Sequence, residues 1–391
     1  MRNIIIFLLL TASVGSQELI PNIDQMYQKY TSYTWNCHVH TGNSDGKAGS
    51  VEEVVRRNLT TTAQIVALTD HGEHLSQQEW RDQGQMAGLR WNLFRGFELT
   101  GTTVDNATKI FQPYNTPGWG HLLIYRSNTF TATKILGDGN PPSLNDTYTQ
   151  ALSWVEKRPE TLAAFAHPSL YLVETTFDNF RSPPKKAIVK QVFGCELSAH
   201  SFPELYTGLG DISKGLRASN EACFRELLRK GWRIAPIMGG DQHGPSYGNV
   251  TTLTGLWLKQ PLKTSIYEAM EARRCFATED PRASIKFMAW QGGQTAIMGE
   301  DLGVRGDSFF VSCKVEGVAA KQITFVGVSR AGADLDFEIQ SQNLESGRSF
   351  FGDDIPLNLV KYKRAVCIYA KAKLAGGKDI VSAPIWLKGA F

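Results

Sequence analysis

The sequence predicts an α/β domain with a largely parallel sheet or barrel, followed by a small all-β domain. From Tyr33 to about Phe276, short apolar runs alternate with helix-like segments, the rhythm of strands joined by helical crossovers. After Pro281 apolar residues alternate at period two between Gly and Asp turns, as on antiparallel strands with one buried face. The length, 391 residues, suits two or three domains at roughly 150 residues each. With 42% hydrophobic and 20% charged residues the composition is that of an ordinary globular chain, which excludes disorder, collagen-like repeats and a small disulfide scaffold. Lys plus Arg (41) against Asp plus Glu (38) leaves +3, too balanced to argue for nucleic acid or an anionic membrane.

The elements follow in order. Arg2, the apolar run Ile4–Leu10 and the small residues up to Ser16 predict a secretory signal peptide over 1–16, so the mature chain is expected to be exported. The run is too short to span a bilayer, which takes about 20 apolar residues. Tyr33–His38 reads as a strand, and Val51–Leu59 as a helix with Ser50 at its N-cap and glutamates in its first turn. Ile65–Thr69, Leu93–Leu99, His121–Tyr125, Leu162–Ala166, Val192–Leu197 and Ile234–Met238 read as strands. Tyr148–Lys157, Asn220–Lys230 (ended by Gly231) and Ile266–Arg274 read as helices. In the tail, Ile285/Phe287/Ala289, Phe309/Val311/Cys313/Val315, Val366/Ile368/Ala370 and Ile385/Leu387 mark strands. The domains are therefore expected at 17–281 and 282–391. Of six cysteines, Cys313 and Cys367 are the expected disulfide pair, since both fall on tail strands, and the others read as buried thiols. Asn58, Asn106, Asn145 and Asn249 head Asn-x-Ser/Thr sequons, a number close to chance.

Eight histidines are unremarkable as a number, and their positions carry the information. His38-Val39-His40 follows the first strand; on extended chain, side chains two apart point the same way and can grip one cation. Ser44-Asp45-Gly46 adds a carboxylate beyond a tight turn, and Thr69-Asp70-His71 closes the second strand. Glu98 closes the third, where a parallel sheet presents its functional edge. Gly120-His121 opens a strand, Ala166-His167-Pro168 ends another, and Gly239-Gly240-Asp241-Gln242-His243 follows a buried run. Any one of these fits a capped strand or a satisfied core histidine. Six of eight histidines at strand termini form a joint pattern that such structural roles explain poorly. Imidazoles with carboxylates and no thiolate cluster suit zinc, manganese or iron. His74 and His200 fall outside the pattern and read as surface or supporting residues; Lys47 reads as a loop lysine that could touch an anionic substrate, and Glu196 as a carboxylate that orients a ligand or binds a backbone amide.

These residues resemble the successive motifs of the PHP (polymerase and histidinol phosphatase) superfamily of metal-dependent phosphoesterases, in order, over about residues 33–280. The tail, with Met298-Gly299-Glu300 and Ser382-Ala383-Pro384-Ile385-Trp386-Leu387, resembles the carbaryl-hydrolase-like metallohydrolase branch. The resemblance implies a distorted (β/α)7 PHP-type barrel with two or three divalent metals at its C-terminal face, the β-domain being sandwich-like. It implies that His38, His40, Glu98 and Asp241 hold one metal, and that Glu98 bridges to a second with His121 and His167. Asp45, His71 and His243 would hold the third; the family often has histidine where Asp45 stands.

The expected chemistry is hydrolysis. Clustered cations bring a bridging water to a near-neutral pKa and neutralise phosphoryl oxygens, while Asp70 or His243 is the expected proton donor to the leaving group. A small phosphate ester is the expected substrate; a carbamate, ester or amide on the same metals is the alternative, and a non-catalytic exported binding protein a third reading.

Overall fold

The computed structural model describes residues 21–46, 50–101, 120–131, 151–168, 186–199, 212–244, 247–330, 336–340, 350–356 and 364–389. The segment 1–16 expected to be a signal peptide, Lys47, His200 and the sequons at Asn106 and Asn145 lie outside the described residues. Among the described residues, no helix is long and apolar enough to cross a membrane.

In the first part of the chain, α1 (Ile23–Tyr27), β1 (Thr31–Asn36), α2 (Val51–Thr61), β2 (Ile65–Leu68), α3 (Gln77–Gly88), β3 (Leu93–Gly101) and β4 (Gly120–Tyr125) follow one another. They lead through α4 (151–156) to β5 (Leu162–Ala166), α5 (Lys186–Gln191), β6 (Val192–Ala199), α6 (Ile212–Arg229), β7 (Ala235–Gly239), β8 (Leu253–Leu258), α7 (Lys263–Glu271) and β9 (Cys275–Thr278). Local chemistry sets the helix ends. The Ser50 hydroxyl accepts the Glu53 amide at the start of α2, as its sequence predicts. Past α6, Gly231 at φ +93° takes the left-handed turn, and its amide and that of Trp232 satisfy the carbonyls of Leu228 and Leu227. Helix α3 is absent from the sequence reading because its apolar stripe is thin. Its signal was the Ser76/Glu79 capping box, in which hydroxyl and carboxylate reciprocally satisfy backbone amides.

Strands β1, β2 and β3 are mutually parallel, as are β5, β6 and β7. The largely parallel sheet predicted from the sequence is interrupted at β4, which runs antiparallel to both β3 and β5. It therefore begins at the edge where its neighbours end. Strand β8 lies antiparallel to β1, and β9 antiparallel to β8. The segments that follow β1 and β7 are bridged as well: His40 N donates to Gln242 O at 3.2 Å and Asp241 N to His38 O at 2.8 Å. The two ends of this run of strands thus meet at one edge.

The tail is all-β: β10 (Ser284–Gln291), β11 (Gln294–Ile297), β12 (Asp301–Gly303), β13 (Ser308–Glu316), β14 (Ala320–Ser329), β15 (Phe337–Gln340), β16 (Phe350–Pro356), β17 (Ala365–Leu374), β18 (Asp379–Ser382) and β19 (Ile385–Lys388). Strands β11-β10-β13-β16 form a four-stranded sheet of their own, while β18 pairs with β9 and carries β17, β19, β12, β14 and β15 into the large sheet. The two sheets pack through Phe287, Phe325 and Phe351, with ring centroids 5.9 and 5.2 Å apart in sequence. All six cysteines are buried free thiols, which corrects the expected Cys313–Cys367 disulfide. Cys313 packs between the two tail sheets, whereas Cys367 lies on β17 with Phe224 of α6, in a different part of the core. Asn58 is buried and hydrogen-bonded to Asn36, so it is no glycan acceptor in the folded chain; Asn249 is exposed.

Candidate metal centre

The candidate ligands converge because parallel strands end on one edge. His38 and His40 follow β1, His71 follows β2, His167 follows β5, and Asp241 and His243 follow β7. Glu98 reaches the edge from within β3, bridged to His71. His121 is at the start of its strand, and the reversal of β4 puts it opposite Thr100 and Ala166 at the same edge.

Four overlapping groups of ligand atoms result: His38/His40/Glu98/Asp241, His40/Asp45/His71/His243, His71/Glu98/His121 and His38/His167/Glu196. In the first group, His38 Nε2 lies 3.1 Å from His40 Nε2, 3.3 Å from Glu98 Oε2 and 3.2 Å from Asp241 Oδ1. His40 Nε2 is 3.2 and 3.1 Å from the same two oxygens. A tetrahedron of N and O ligands about 2.0 Å from a cation has edges of about 3.3 Å, so these four atoms fit one small divalent ion. In the second group Asp45 faces His40 at 3.3 Å, His71 at 3.5 Å and His243 at 3.2 Å. Glu98 divides its oxygens: Oε2 belongs to the first group, while Oε1 lies 2.5 Å from His121 Nδ1 and 3.1 Å from His167 Nε2.

Among the described residues, every ion pair of Asp45, Glu98 and Asp241 is with histidine, none with Lys or Arg. Burial opposes charge on Glu98, yet His121, His71 and His38 hold its carboxyl well below the usual range. Asp241 is likewise buried but lowered, chiefly by His38 and His243. Burial would depress His38; Asp241, Glu196 and Glu98 raise it well above an ordinary imidazole instead. His121 goes the other way, its pKa lowered by burial despite Glu98. Buried carboxylates whose charge is met only by histidine protons are a donor set that divalent cations fit, since a cation can replace those protons.

Two backbone features hold the candidate ligands. Asp241 (φ +42°) and His167 (φ +23°) adopt left-handed conformations unusual for non-glycine residues. Gly239 passes so close to His38 that a Cβ there would meet His38 Cβ at 2.6 Å, which explains the glycine at that position.

Asp70 lies beneath the turn that carries Asp45. Its carboxylate is fully buried and accepts from Thr41 N (2.6 Å), Thr41 Oγ1 (2.9 Å), Ser44 Oγ (2.7 Å) and Gln83 Nε2 (2.7 Å). These bonds tie it to Thr41 and Ser44, in the turn that carries Asp45, and to Gln83 of α3. His243 points Nε2 at Asp45 (3.2 Å) and Nδ1 at the Asp241 carbonyl (2.9 Å). His74 is exposed, its ring centroid 5.8 Å from that of His71, and it belongs to none of the groups. Sequence reasoning missed Thr41, Gln83 and the buried amide of Asn36, which joins Asn58, Gly240 and Gln242 under the β7 turn. A polar residue closing an apolar strand was the available signal for Asn36.

No family model matches the chain, and no curated protein matches it. Among solved structures it is similar to a two-domain protein containing a predicted PHP-like metal-dependent phosphoesterase from Bacteroides vulgatus ATCC 8482, with 15% identity, 92% of this chain and 95% of that chain covered, and a TM-score of 0.37.

Proposed function

We propose that this protein is a metal-dependent hydrolase of the PHP type, built on a distorted seven-stranded barrel, and that it cleaves a small phosphate ester. The observation that carries the reading is the nested set of histidines and carboxylates at one strand edge, with no Lys or Arg paired to Asp45, Glu98 or Asp241 among the described residues. His38, His40, Glu98 and Asp241 would hold one cation; Asp45, His71 and His243, with His40 at the shared border, a second; Glu98, His121 and His167 a third. Divalent cations at such a centre supply Lewis acidity toward phosphoryl oxygens and bring a water into the neutral pKa range. The chain's own contribution is rigidity. Asp70 fixes the Asp45 turn, Glu98 ties neighbouring groups together through its two oxygens, and hydrogen bonds hold the left-handed Asp241.

Metal analysis of the purified chain with a panel of aryl phosphates, bis-aryl phosphates and aryl carboxylesters tests the reading. Wild type should carry divalent metal and turn over phosphoesters, with inorganic phosphate as a competitive inhibitor. His40→Ala, which belongs to two groups, should lose metal and at least about a hundredfold in turnover while keeping its circular dichroism spectrum. A metal-loaded protein inert on phosphoesters but active on carboxylesters overturns the substrate class; a protein that takes up no metal overturns the whole reading.

A further inference from the structure

Glu196, on β6, is fully buried behind the candidate ligand cluster, where its carboxylate meets two of the histidines. Oε1 lies 3.1 Å and Oε2 3.3 Å from His38 Nδ1, on the opposite side of the ring from Nε2, which faces His40, Glu98 and Asp241. Oε2 accepts the backbone N–H of His167 at 2.9 Å. That backbone is the one at φ +23°, a conformation unfavourable for a non-glycine residue that persists only where the surroundings enforce it. The only ion pair Glu196 makes among the described residues is with His38, and Cys37 Sγ stands 4.0 Å from Oε1.

We propose that Glu196 is a positioning residue that sets two metal-ligand histidines with one carboxylate. Accepting a hydrogen bond from Nδ1–H selects the His38 tautomer whose lone pair is on Nε2, the atom aimed at the first group. Accepting the His167 amide pins the left-handed turn that swings His167 Nε2 to within 3.1 Å of Glu98 Oε1. The two ligand groups that meet at Glu98 are thereby braced from behind by a single residue on a neighbouring strand. The proposal rests on the metal reading above, and it predicts that one substitution outside the ligand set weakens two positions together.

The test is titration of the metal-free full-length chain with Co(II), comparing wild type with Glu196→Gln and Glu196→Asp. Affinity, stoichiometry, the Co(II) visible spectrum and the melting temperature of the metal-free protein are read for each. Glu196→Gln, a near-isostere with a weaker acceptor, is expected to keep the stoichiometry and the metal-free melting temperature. Its affinity should fall about 10–100-fold at two equivalents, with a changed spectrum. Glu196→Asp, which keeps the charge but withdraws it by one methylene, should lie between the two and carries the comparison if Glu196→Gln does not fold. Loss of one whole equivalent with the others untouched would make Glu196 itself a ligand and overturn the proposal. Lower metal-free stability with unchanged affinity and spectrum would reduce it to a packing residue, also against the proposal. A wild type that binds no Co(II) overturns the metal reading and this role together, whereas wild-type binding with an indifferent Glu196→Gln overturns this role alone.

Discussion

Asp70 shows what a motif can hide. Thr69-Asp70-His71 puts a carboxylate beside a candidate ligand, and from sequence a proton donor is a fair expectation. In the fold four hydrogen bonds from Thr41, Ser44 and Gln83 saturate it, and it serves the turn that carries Asp45. Asp70→Ala strands these buried donors, each at about 1–3 kcal/mol. The expected outcome is a lower melting temperature and loss of metal from the Asp45/His71/His243 group, with the His38/His40/Glu98/Asp241 group still filled, read by calorimetry and metal analysis. Unchanged stability with only the alkaline limb of the pH–rate profile altered would return Asp70 to the role of acid. Histidine identity was legible in the sequence because strand ends are; the partners of Asp70 were not, since Gln83 comes from a helix the pattern did not show.

Element packing also joins the two parts of the chain at α6, through an ion-paired contact with β17. Glu221 of α6 meets Lys371 Nζ of β17 at 2.5 Å, Arg225 at 2.8 Å and the Tyr369 hydroxyl at 3.2 Å. Burial opposes the charge, but Lys371 and Arg225 outweigh it and bring the carboxyl from an ordinary 4.5 to about 2. A carboxyl depressed in the folded state stabilises at pH above its unfolded value and loses that contribution as pH falls toward its folded value. Glu221 should therefore contribute on the order of 3 kcal/mol at neutral pH, lost between about pH 4.5 and about pH 2. Thermal melts across that window should show wild type falling more steeply than Glu221→Gln, which starts lower at neutral pH. Parallel curves would mean that the ion pair adds nothing net. The sequence marks α6 as amphipathic but not as an ion-paired contact with β17, because partners about 150 residues apart share no local signal.

For the whole molecule, the sheet continues through the expected junction at 281/282. Ile380, Val381 and Ser382 pair with Thr278, Ala277 and Phe276. Tyr27 donates its hydroxyl to Phe287 O at 2.9 Å, and Trp257 its indole N–H to Ile285 O at 3.0 Å, so α1 and β8 are seated on the tail. One hydrophobic core runs from Trp35 and Leu256 to Phe325 and Ala370. A chain ending at 281 would expose the β9 edge and half of that core, and unpaired apolar edges aggregate. Such a fragment is expected to be insoluble or to melt without cooperativity; a soluble, cooperative, metal-binding fragment would show that the first part folds alone. By itself the sequence determined many of the element types, the change of period near Pro281 and the residues that gather at the strand edge, because side-chain periodicity and motif spacing are local properties. Only the tertiary structure decided the direction of β4, the filling of Asp70, the separation of Cys313 from Cys367 and the place of Glu196 behind two histidines. Each of these depends on which strands become neighbours, and strand pairing is set by burial summed over the whole core rather than by any segment.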